Sequence, residues 1–147
     1  MFNCEVVQGM NVKQYLKQIR LLDKKINQRI EEKDYLKGKA ATVRSMIIHP
    51  DKIQQSLKPD KMESMMVKYI DLEHEIDNLI DQYVDLKHKI IGEIQQLDNV
   101  QHVDCLVQRY VEGRSFEAIA LDMGYSVRRI FQIHSDALQA FKAKHFI

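Results

Sequence analysis

Two arginines, a phenylalanine and a glutamine stand close together as Arg128, Arg129, Phe131 and Gln132, directly after Gly124-Tyr125-Ser126. These types carry recognition chemistry. A guanidinium presents paired N–H donors that match two acceptors of guanine, and a glutamine amide offers the donor and acceptor that adenine requires. Side chains that reach base edges sit in the first turns of a helix laid into the major groove. The spacing predicts such a helix from Ser126 to about Lys142, with Val127, Ile130, Ile133, Ala137, Leu138 and Phe141 inward. Arg128, Arg129, Phe131 and Gln132 are then left on or near the outward side. A double arginine on a helix is usually only a solvated face; its place in the first turn after a glycine turn singles this one out.

The preceding residues supply the elements such a helix needs. Ser115 caps the segment SFEAIALDM, whose first turn carries Glu117 and whose inner face is Phe116, Ile119, Ala120 and Met123. Ala120 is small enough for a close helix crossing, and Gly124 makes the turn. Before it, HVDCLVQRYVEG places Val103, Leu106, Val107 and Tyr110 on one face and stops at Gly113. This order predicts a helix-turn-helix. Ser115 and Ser126, with the free amides at their helix starts, are phosphate-binding candidates; Arg109, Arg114, Lys142 and Lys144 are further ones.

The stretch from Leu106 to Lys142 resembles region 4 of bacterial sigma-70 factors, the helix-turn-helix that reads the promoter −35 element. The resemblance rests on LVQRYVEGRSFEAIALDMGYSVRRI followed by FQIHSDALQAFK, with Ser126, Ile130, Gln132 next to Ile133, and the Ala137-Leu138 pair in the family pattern. It covers about the last third of the chain. Where primary sigma factors carry an Arg-Glu pair that reads bases, this chain has Val127-Arg128, and Phe131 replaces a basic residue; Gln132 is retained. The resemblance implies double-stranded DNA as a partner and RNA polymerase as a second one. A helical N-terminal half before such a tail also resembles small phage-encoded proteins of Gram-positive hosts, which implies a phage or prophage transcriptional regulator of the late-gene type.

Longer elements must carry this tail. The 147 residues hold 22 basic and 21 acidic side chains, but the charge is segregated. Residues 11–44 contain ten basic side chains against four acidic ones; residues 60–99 contain four against ten. Complementary blocks predict two segments lying against each other. The first, from Asn11 to about Met46, has Val12, Tyr15, Ile19, Leu22, Ile26 and Ile30 at helical steps, with Leu16 and Leu36 widening the stripe. Pro50 and Pro59 bound the principal break. In the second, Tyr69, Leu72, Ile76, Leu79, Tyr83, Leu86 and Ile90 alternate steps of three and four, shifting to Ile94 and Leu97 beside Gly92. Ile70, Ile80, Val84 and Ile91 broaden this stripe beyond one partner's width. The expected fold is all-α: a long, coiled-coil-like antiparallel helical hairpin over residues 1–99, then a small helix-turn-helix domain over 100–147. A homodimer through the long helices is expected with it.

Other chemistries find little support. Cys4 and Cys105 are far apart and form no C-x-x-C pair, which suits free thiols in a reducing cytoplasm. His49, His74, His88, His102, His134 and His145 fit no metal-ligand spacing, and neither a phosphate loop nor a nucleophile elbow is present. No metal, cofactor or enzymatic activity is expected, nor a signal peptide or membrane span. The carboxylates of residues 60–99 read as a solvated helix face, and Met62, Met65 and Met66 as a soft cluster before the long helix. A small terminase subunit would also join a helix-turn-helix to oligomerising helices. A polymerase-binding adaptor that does not read DNA is the other alternative. Residues 101–147 carry six basic side chains against five acidic ones, less positive excess than a DNA binder usually shows.

Overall fold

The structure, a computed structural model, describes residues 11–48 and 59–146. Among them the chain forms α1 (Val12–Ile48), α2 (Pro59–Gln95), α3 (Val100–Leu106), α4 (Phe116–Met123) and α5 (Val127–His145). A turn of π-helix, Val107–Val111, extends α3. The described residues contain no strand. The expected all-α hairpin with short helices behind it is what forms. Much of the break around Pro50 lies outside the described residues. Pro59 is the first residue of α2, a position where the missing N–H costs nothing. The long helix therefore starts well before Tyr69, and Met62, Met65 and Met66 lie within it rather than ahead of it. Met62 and Met65 are half-buried and Met66 is exposed.

Two compact units make up the chain. One spans Asp23–Gln82; the other takes the residues up to Leu22 together with Tyr83 onward. In the first, Ile26 of α1 and Leu72, Ile76 and Leu79 of α2 are buried. Arg29 Nε lies 3.1 Å from Glu75, and Lys33 Nζ lies 3.1 Å from Glu73. Numbers rise along one helix as they fall along the other, so the arms of the hairpin are antiparallel. These cross-pairs realise the complementary charge blocks. Ile30, expected in the apolar stripe, is 37% exposed instead.

The second unit holds a larger core. Val12, Tyr15, Leu16 and Ile19 of α1 meet Leu86, Ile90 and Ile94 of α2, with Leu97 just beyond it. Leu106 and Tyr110 join them, as do Ala137 and Phe141 of α5. Residues on both sides of position 99 thus share one core, and what changes there is element length. The Tyr15 hydroxyl donates to both carboxylate oxygens of Glu93 at 2.9 Å. Burial, then the hydrogen bond and charge of Glu93, raise the Tyr15 pKa above its ordinary value. Glu93 therefore departs from the solvated face expected of its segment. Asn99 caps α3, accepting from the Gln101 amide at 2.9 Å.

A smaller core joins Cys105 of α3, Ile119 and Ala120 of α4, and Ile130 and Ile133 of α5, flanked by Phe116, Met123 and Val127. Gly124 ends α4 with φ +73, and no atom within 4 Å would meet a Cβ added there. Replacing Gly124 by Ala therefore tests backbone strain without a clash. We expect a loss of about 1–2 kcal/mol in urea denaturation. Gly92→Ala, inside α2 and in open space, should instead gain up to about 1 kcal/mol.

Candidate nucleic-acid interface

The helix-turn-helix is built from two capped helix starts. Ser115 has extended dihedrals and its Oγ accepts from the Ala118 amide at 3.2 Å. Ser126 does the same for the Arg129 amide at 3.1 Å. Each oxygen satisfies one of the orphan donors at its helix start and leaves the others free. Between them, the Tyr125 amide closes on the Ala120 carbonyl at 3.1 Å. Gln101 of α3 donates to the Tyr125 phenol at 2.6 Å, which ties the turn to the preceding helix.

Inward, α5 buries Ile130, Ile133, His134, Ala137 and Phe141. Outward, Arg128, Arg129, Phe131 and Gln132 are all exposed, as the spacing predicted. Arg129 Nη1 donates to Gln132 Oε1 at 3.2 Å, so these two are aligned as a pair on one face. Arg128 meets no carboxylate among the described residues. Phe131 differs from the others: its ring packs on Phe116 at 4.8 Å, yet half of it is exposed. It offers an apolar edge, the chemistry that suits a thymine methyl.

The phosphate candidates divide. Lys142 is exposed, with no ion pair among the described residues. Lys144 is turned away onto the end of α2: its ammonium donates to the Gln96 carbonyl and lies 3.7 Å from Asp98. Arg114 is held by Glu112 at 3.2 Å and lies 3.9 Å from Asp122. Arg109 stacks over Phe116, with its guanidinium carbon 4.2 Å from the ring centroid, and donates to the Arg114 carbonyl at 2.9 Å. Arg109, Arg114 and Ser115 are thereby gathered around one turn.

Two buried polar groups escaped sequence reasoning. Gln108 is 3% exposed and donates to Asp104 at 2.9 Å and Asp122 at 2.8 Å, while its oxygen accepts from Arg114 at 3.3 Å. The Asp104–Gln108 part has helical spacing, but Asp122 belongs to another helix, so no local pattern announces it. His134 is 7% exposed, stacks on Tyr110, and shares a 2.7 Å hydrogen bond with the Tyr110 hydroxyl. Burial, then the charges of Lys13 and Arg109, depress its pKa to about 4. Burial raises Tyr110 to about 12. Burial, then the charge of Asp104, raises the Cys105 thiol to about 11, which leaves it inert. Among the described residues no group of His, Cys, Asp and Glu could hold a metal, and no helix is long and apolar enough to cross a membrane.

The His134 shift has a sign. The unfolded chain binds a proton at this side chain below about pH 6.5, whereas the folded one does so only near pH 4. Stability from this group is full above pH 6.5 and declines as pH falls to 4, by up to about 3 kcal/mol. We expect thermal melts across that window to show the decline. His134→Gln, which does not titrate there, should flatten it.

The family model described as Sigma-70, region 4 matches residues 99–143, which takes in α3, α4 and nearly all of α5. No curated protein and no solved structure matches the chain. With its two capped helices, its glycine turn and that match, the C-terminal segment is a sigma-70 region 4-like helix-turn-helix domain, a DNA-binding class of module.

Proposed function

We propose that this chain is a sequence-specific DNA-binding transcription regulator of phage or prophage origin and the late-gene type, working in the cytoplasm. Its α5, from Ser126 to about Lys142, enters the major groove. The observation that carries this reading is the exposed set Arg128, Arg129 and Gln132 in the first turns of α5, within the segment matched by the family. Arg128 and the Arg129–Gln132 pair supply hydrogen bonds to base edges, and Phe131 supplies apolar contact. Ser115, Ser126 and Lys142 meet phosphates. Arg109 and Arg114 do so around the turn before α4, and Lys144 only after leaving Asp98.

Self-association through the long helices accompanies this function. Met66, Val67, Ile70 and Ile80 of α2 are 40–64% exposed, more apolar surface than a solvated helix face requires. The adaptor reading has one observation in its favour. Leu121 is 86% and Val100 80% exposed, surfaces suited to a protein such as RNA polymerase. Contact with polymerase is compatible with reading DNA.

The test is a binding series on a duplex selected by the chain from a random pool. Arg128→Ala or Gln132→Ala should cost about 1–3 kcal/mol and relax preference at one base pair. Lys142→Ala should weaken binding to every sequence alike and flatten its salt dependence. Unchanged affinity and preference in both reading-face variants would reject the assignment. Ring-shaped assemblies in light scattering would favour the packaging alternative, and capture of polymerase without retained DNA the adaptor.

A further inference from the structure

Beside the helix-turn-helix, in the same compact unit, runs the first part of α1. It carries Lys13, Lys17 and Arg20 at steps of four and three, the spacing of one helix face, and all three are exposed. The row is placed against the C-terminal domain at both ends. A Cβ added to Gly113 would lie 3.6 Å from Arg20 Nε and 3.8 Å from its Cζ, so this guanidinium rests on the turn that leads into Ser115. At the other end Val12, the neighbour of Lys13, is buried in the core that holds Ala137 and Phe141 of α5.

None of the three forms an ion pair with a carboxylate among the described residues. Further along the same helix the pattern differs, since Arg29 and Lys33 are taken by Glu75 and Glu73. Around the Gly113 turn, Glu112 and Asp122 are occupied by Arg114. Among the described residues, the cations left over here are Lys13, Lys17, Arg20 and Arg109. Lys13, Lys17 and Arg20 supply the positive excess that residues 101–147, with six basic side chains against five acidic ones, lack by themselves.

We propose that Lys13, Lys17 and Arg20 of α1 form, with Arg109, a phosphate-binding row that extends the DNA interface from the helix-turn-helix onto the base of the hairpin. This rests on the DNA-reading function proposed above. The row contributes affinity without sequence preference, because it faces backbone charge and not base edges. The Gly113 turn brings the Arg20 end of the row beside Ser115. That end of the row thus stands beside one of the phosphate contacts of the function proposed above.

The experiment uses the full chain and three probes: the selected duplex with its single-base-pair variants, a random-sequence 30-base-pair duplex, and poly-L-glutamate. The affinity of the wild type for the duplex is followed against salt, beside K13A/K17A/R20A and a Lys61→Ala control. Removing one phosphate-binding cation should lower the log–log salt slope by about 0.9, so the triple variant should fall by roughly two to three in slope. Lys61→Ala should leave the slope where it was, and the triple variant should keep the base preference that Arg128→Ala relaxes. A circular-dichroism melt confirms that the surface variants fold. An unchanged slope in the triple variant, with Arg128→Ala still altering base preference, overturns the row and leaves the reading helix standing. Absence of duplex binding by the wild type overturns both. An unchanged duplex slope together with abolished poly-L-glutamate binding would assign the row to an acidic protein and overturn the proposal.

Discussion

The constraint on which the rest depends is that α5 belongs to two hydrophobic cores at once. Ile130 and Ile133, near its start, close the small core with Cys105, Ile119 and Ala120. Ala137 and Phe141, farther along, enter the larger core formed with α1 and α2. Adjacent residues of α3 split the same way, Cys105 to one side and Leu106 to the other. A helix cannot twist one half independently of the other without breaking its hydrogen bonds. The outward face of Arg128, Arg129 and Gln132 is therefore oriented by packing at both ends. Phe141, with no exposed surface and rings of Tyr15, His145 and Phe146 around it, anchors the far end.

Polar groups decide which faces meet. Tyr15 finds Glu93, Tyr110 finds His134, and Gln108 finds Asp104, Asp122 and Arg114. His145 donates from Nε2 to the Glu93 carbonyl at 2.9 Å, which fastens the end of α5 to α2. Among the described residues no buried side-chain nitrogen or oxygen lacks a partner. Leaving any of these groups unpaired would cost about 1–3 kcal/mol. Apolar packing tolerates sliding and rotation more easily than such pairs do, so they fix the register. The π-helical turn from Val107 to Val111 lies in this network, and the Glu112 amide reaches the Val107 carbonyl at 3.0 Å.

Charge is distributed by the same logic. Cations that face a carboxylate are paired, as Arg29, Lys33 and Arg114 are. Those of the outward face of α5 and of the first turns of α1 are not. Composition alone hides this difference, because 22 basic and 21 acidic residues nearly cancel. An interface with nucleic acid depends on the uncancelled remainder.

Apolar spacing and capping residues were enough to specify α4, α5, their caps and the outward set. Apolar steps of three and four, Ser115 and Ser126 before them, and a glycine where φ must be positive are local features, and local geometry obeys them. The antiparallel hairpin followed from opposed charge blocks. Packing between distant helices sets the rest: α5 runs through two cores, Lys144 bends onto the end of α2 while Lys142 stays exposed, and Gln108 and His134 are buried. It also brought Arg20 to the Gly113 turn. These facts join residues tens of positions apart. No periodicity within one helix encodes them, because they depend on which helix faces the crossing angles bring together.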